Sequence, residues 1–89
     1  MKAIITVIGR DQVGIMYGVS GVLNDLGVNI EDVTQTIMQE YFTMLMLVGI
    51  DETKTGFGEL KVALEELGEK KGLSIRIQKE EIFDTMHKI

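Results

Sequence analysis

The sequence predicts an α+β domain of two layers, an antiparallel four-stranded sheet carrying two helices on one face. Two observations predict it. Apolar residues recur first with strand spacing and then with helix spacing, in the order strand, helix, strand, strand, helix, strand. Glycines stand at the joints, at Gly9, Gly14, Gly27 and Gly72.

Each element follows from its residues. Lys2 to Ile8 (KAIITVI) is a continuous β-branched run, the pattern of a strand buried on both faces, and Gly9 is expected to break it. Ile15, Val19, Val22, Leu23 and Leu26 then lie along one helical stripe, and Gly27 supplies the stop. Gly18, Ser20 and Gly21 weaken this helix on its own and imply a close approach to the sheet. Val28 to Met38 and Tyr41 to Ile50 are two β-rich stretches joined by Gln39-Glu40, a hairpin with an unfavoured turn pair. After a polar connector from Asp51 to Gly58, the residues Phe57, Leu60, Leu64 and Leu67 form a second stripe, closed at Gly72. Leu73, Ile75 and Ile77 alternate with Ser74, Arg76 and Gln78 as a half-buried strand.

This order is that of the ferredoxin-like βαββαβ sandwich. Residues 1–79 are expected to form the domain. Residues 80–89 are expected to form a short C-terminal helical tail, with Ile82, Phe83, Met86 and Ile89 at helical spacing. The first and third strands, central in this fold, carry apolar residues in both rows: Ala3, Ile5 and Val7 against Ile4 and Ile8, and Phe42, Met44, Met46, Val48 and Ile50 against Leu45 and Leu47. A solvated sheet face alternates with polar residues. The face away from the helices is therefore expected to be covered, by the C-terminal helix or by another subunit.

Length and composition narrow the function. Eighty-nine residues make one domain that buries roughly 60–65% of its unfolded surface, so a second chain adds materially to the core. An apolar content of 45% and a mean hydropathy of +0.16 point the same way, to a homodimer. A net charge of −5 argues against a nucleic-acid or anionic membrane surface. With no cysteine, disulfides and thiolate metal sites are excluded, in keeping with a cytoplasmic location. Met1-Lys2 leads directly into strand residues, with no secretory pattern and no apolar run of membrane-spanning length.

Catalytic constellations are scarce, and no enzyme activity, cofactor or metal is predicted. His87 is the only histidine and lies in the tail; the six methionines read as core filler. Glu31-Asp32, Glu65-Glu66 and Glu80-Glu81 are solvated neighbours rather than carboxylates facing across a cleft. The stretch Asp51 to Glu59 lacks the acidic spacing of a calcium loop. Lys70-Lys71 matches the negative end of a helix dipole. Central-strand aromatics for stacking bases are confined to Tyr41 and Phe42.

The turn Gly9-Arg10-Asp11-Gln12-Val13-Gly14 is the most informative stretch. Its glycines have Walker spacing, but Ile15-Met16 follows where a phosphate loop has Lys-Ser/Thr. It resembles the acylphosphatase turn only superficially, since the following helix lacks the arginine and the second strand the asparagine which that resemblance requires. Read from the residues alone, Asp11 either caps the first helix or meets a ligand, and Asn29 either satisfies backbone groups or offers an amide.

Combined with Gly27-Val28-Asn29-Ile30 at its expected separation, the turn resembles the ACT-domain family over Lys2 to Gln78. The chain is similar to small stand-alone ACT-domain proteins and to one half of a tandem-ACT glycine-cleavage regulator. The resemblance implies a regulatory module, not an enzyme, that binds an amino acid or related metabolite at a homodimer interface. It implies ligand-binding roles for Gly9, Arg10, Asp11, Gly14, Ile15, Asn29 and Ile30: close backbone approach at the glycines, charge at Asp11, an amide at Asn29, and Ile15 and Ile30 flanking the pocket. Family members often carry proline before the second glycine, where this chain has Val13. The alternative reading is an interaction subunit that docks on a larger enzyme or regulator, a protein partner met by the apolar sheet face.

Overall fold

The computed structural model describes residues 1–81. The expected βαββαβ order is present: β1 (Lys2–Arg10), α1 (Ile15–Asp25), β2 (Asn29–Met38), β3 (Tyr41–Gly49), α2 (Phe57–Lys71) and β4 (Ser74–Lys79). The sheet runs β2-β3-β1-β4 and every neighbouring pair is antiparallel. The expected tail helix with Ile82, Phe83, Met86, His87 and Ile89 lies outside the described residues.

The core is one row of the sheet against two helical stripes. Ala3, Ile5 and Val7 of β1 and Met44, Met46 and Val48 of β3 are fully buried, joined by Ile75 and Ile77 of β4. Ile15, Val19 and Leu23 of α1 and Leu60 and Leu64 of α2 close over them. Each such side chain contributes about 1.5–3 kcal/mol by leaving water. β1, read from its apolar run as buried on both faces, is buried on the helix side only. Ile4 and Thr6 are half-buried and Ile8 is exposed on the other face. The β-branched residues in both rows still favour the strand, so composition alone did not separate the faces.

Gly9 does not end β1. It pairs with Phe42 and Arg10 pairs with Tyr41, so the strand runs on to the base of the turn. The glycine serves packing instead: a Cβ there would stand 2.5 Å from Leu73 Cδ2, in the turn from α2 to β4. α2 ends at Gly72 in the left-handed region, with the Leu73 N–H donating to the Gly68 carbonyl at 2.8 Å.

Two turns hold the connections. Gln39, at φ +57°, turns the β2–β3 hairpin between paired Met38 and Tyr41. A side chain in that region is strained, and hairpin turns of two residues favour glycine there. Gln39→Gly is expected to stabilise the fold by about 0.5–1 kcal/mol, read as a higher urea midpoint at unchanged slope.

After β3, Asp51 Oδ1 accepts hydrogen bonds from the Thr53 hydroxyl at 2.6 Å and the Thr53 N–H at 3.0 Å, while its carbonyl accepts from Lys54 and Thr55 N–H. This turn seats the buried Thr55, whose hydroxyl donates to Glu59 at 3.1 Å in the first turn of α2. The Thr53 hydrogen bonds hold the Asp51 carboxyl below its ordinary 3.8. A depressed carboxyl contributes stability above its ordinary value and loses it as pH falls through the folded one. The stability difference between wild type and Asp51→Ala is therefore expected to hold from pH 7 to 5 and to close below about pH 4, as read by urea unfolding at each pH.

Candidate functional site

The turn after β1 is fastened at three points. The Asp11 N–H donates to the Glu40 carbonyl at 2.7 Å, so the turn stays against the β2–β3 hairpin. Gln12 Nε2 donates to the Lys71 carbonyl at 3.1 Å, satisfying an end carbonyl of α2. Gly14, at φ +91°, is the N-cap of α1 and lets the chain swing into the helix. Arg10 adds an exposed ion pair with Glu40 at 3.7 Å, which contributes little to stability.

This turn presents charge of both signs. The first intrahelical bond of α1 is Gly18 N–H to the Gly14 carbonyl at 2.8 Å, which leaves the N–H groups of the first turn without helical acceptors. Lys71 lies over them: its ammonium is 4.0 Å from where a Gly14 Cβ would stand, and its stem packs at 3.1 Å from the corresponding point on Gly18. A helix N-terminus beside an ammonium group favours an anion. Asp11 supplies the opposite charge on the same turn. Neither Lys71 nor Gln12 is legible as a site residue in the sequence, because α2 ends nearly sixty positions away, beside a helix start that only the fold brings close.

The expected site residues divide into groups. Arg10, Asp11 and Gly14 belong to the turn. Asp11 does not cap α1, which has no side-chain cap at all. Gly9 is filled from behind by Leu73. Ile15 is 3% exposed and packs in the core. Asn29 and Ile30 begin β2 at the opposite end of the sheet, where Asn29 pairs with Gly49 and Gly49 with Lys2. The length of β1 separates the two groups by about 27 Å at ~3.3 Å per residue. The sequence places Asp11 and Asn29 at a pocket between two copies of the chain; within one chain they lie at opposite ends of the sheet.

β2 runs along the sheet edge, with every residue except Val33 exposed. Surface depressions of about 310 and 580 Å³ lie beside α2–β4 and on the outer side of α1, away from Asp11 and Asn29. Among the described residues no three His, Cys, Asp or Glu side chains converge as a metal site, and no helix is long and apolar enough to cross a membrane.

Residues 2–78 match the ACT-domain family. The chain belongs to that family. This ACT domain is 53% identical to a UPF0237 protein of Clostridium acetobutylicum over 89 residues, the whole of both chains. It is similar to the solved ACT domain protein from Streptococcus pneumoniae, at 48% identity and TM-score 0.81 over 93% of each chain. It is also similar to part of a candidate glycine cleavage system transcriptional repressor, at 26% identity and TM-score 0.79, over 88% of this chain and 44% of that one. ACT domains are regulatory modules that bind small molecules, so the expected family and fold hold.

Because Gly14 sits in the left-handed region, Gly14→Ala is expected to cost about 1–2 kcal/mol. The check is urea unfolding, together with faster amide exchange across residues 11–14.

Proposed function

We propose that this ACT domain is a non-catalytic regulatory module that binds an amino acid, or a metabolite with the same ammonium and carboxylate pair, between two copies of the chain. The observation that carries this reading is the position of the two groups of residues relative to the exposed β2 edge. β2 runs parallel to β1 with β3 between them, so Asn29 and Asp11 lie at opposite ends of the sheet.

A two-fold pairing of β2 with β2 of a second copy reverses that relation. It sets Asn29 and Ile30 of one copy against Ile37 and Met38 of the other. Exposed Ile30, Ile37 and Met38 then leave water together. From there the second copy's Tyr41 and Arg10 lead to its Asp11, three strand spacings or about 14 Å between backbones. Two side chains and a small zwitterion span that gap. The carboxylate would meet the α1 N–H groups and Lys71, the ammonium Asp11, and the Asn29 amide of the other copy the remaining polar atoms. Ligand binding then alters how the two copies pair, by no more than its differential affinity for the two arrangements.

The test is calorimetry of the standard amino acids against wild type, Asn29→Ala and Lys71→Met. At least one amino acid is expected to bind wild type, and each variant to weaken that binding tenfold or more with melting temperature held within a few degrees. No binding by any of them, or unchanged binding in both variants, would overturn the assignment.

A further inference from the structure

We infer that the amino acid this domain binds has an apolar side chain, which lies on the helix side of the sheet between Ile37 and Met16 of one copy and Ile30 of the other. The inference rests on the proposed site between two copies and names the class of ligand that site takes.

The register splits the end of the sheet below the Asp11 turn into two rows of opposite character. Gly9 pairs with Phe42 and Phe42 with Ile37, a row on the helix side. Arg10 pairs with Tyr41 and Tyr41 with Met38, a row on the open face. The proposed β2 pairing adds one residue of the second copy to each, Ile30 beside Ile37 and Asn29 beside Met38. The helix-side row then holds no polar side chain, whereas the open-face row runs from a guanidinium to an amide.

Most of the helix-side row is already filled. Leu73 stands against Gly9, and Phe42 is buried. Ile37 is 57% exposed, because the helix layer stops short of the β2 edge, where every residue but Val33 is exposed. Met16 borders the same gap. α1 buries Ile15, Val19 and Leu23, and Gly18, on one flank of that stripe, faces Leu67 and Lys71 of α2. At about 100° per residue Met16 falls on the other flank, toward β2, and it is 37% exposed.

The ligand's own charges fix which flank its side chain takes. The carboxylate is drawn to the first N–H groups of α1 and to Lys71, on the Gly18 flank, and the ammonium to Asp11. The Met16 flank, over Ile37, is left for the side chain. Polar groups nearby are engaged elsewhere, Arg10 with Glu40 and the Gln12 amide with the Lys71 carbonyl. A polar side chain would therefore lose water there without gaining a partner. An apolar one gains about fourfold in affinity for each methylene it buries, against a methionine that adapts to its shape.

The experiment is calorimetry of the full chain with amino acids matched in shape but not in polarity, valine against threonine and leucine against asparagine, with alanine as reference. It uses wild type, Ile37→Thr and Met16→Gln; Met16 stands outside the β2 pairing, so its variant keeps the test open if Ile37→Thr disturbs assembly. Valine and leucine are expected to bind wild type at least tenfold more tightly than threonine and asparagine. Each variant is expected to weaken leucine tenfold or more while alanine stays within about twofold. Threonine or asparagine binding as tightly as its apolar counterpart, or a leucine preference unchanged in both variants, would overturn the inference while leaving the two-copy site in place. If no apolar amino acid binds, the inference falls; the site itself falls with it only if no polar one binds either.

Discussion

The antiparallel register of β1 with β3 is the constraint from which the rest follows. Ala3 with Val48, Ile5 with Met46 and Val7 with Met44 put one row of both central strands under the helices. A slip of one residue would turn that whole row outward and bring Ile4, Thr6 and Leu45 inward. Burial of three side chains on each strand, each worth about 1.5–3 kcal/mol, makes such a slip prohibitive. Once this pair is set, β2 and β4 have only the two edges to occupy. The turn after β1 then comes to one end of the sheet, and the start of β2 to the other.

In the proposed reading that separation governs binding: a residue pair that looks like one site in the chain is split between opposite ends of the sheet. The proposed two-fold pairing through β2 would recombine them, and it would also remove an exposed strand edge, which proteins rarely leave uncovered. The bulge at Glu31, where Ile30 pairs with Val48 but Asp32 with Leu47, re-aims the first residues of that edge. Glu31 bonds Lys2 at 3.1 Å beside Gly49, whose missing Cβ leaves the room.

The element order was legible because both kinds of periodicity are strong and the joints carry glycine. Gly72 and Gly27 do stand in the left-handed region at helix ends. Gly9 misled as a strand breaker because its need is steric: it makes room for Leu73, a neighbour only after folding. Ile15 shares its buried helix face with Val19 and Leu23, as the helical spacing in the sequence foretells. Lys71 was hidden because its α2 end and the α1 start become neighbours only in three dimensions. Local chemistry was readable, whereas long-range adjacency was not.

The central claim, that Asp11 of one chain and Asn29 of another serve the same ligand, is tested most directly by complementation between two defective variants. Asp11→Asn and Asn29→Ala would be purified separately, each unable to bind, then mixed in equal amounts, exchanged, and titrated by calorimetry with the amino acid that binds wild type. Half of the dimers become hybrids, and each hybrid has one site built from the unaltered Asp11 and the unaltered Asn29. The account predicts recovery of about one quarter of the wild-type sites at wild-type affinity. No recovery in a mixture shown to contain hybrids, or full binding by either variant alone, would contradict it.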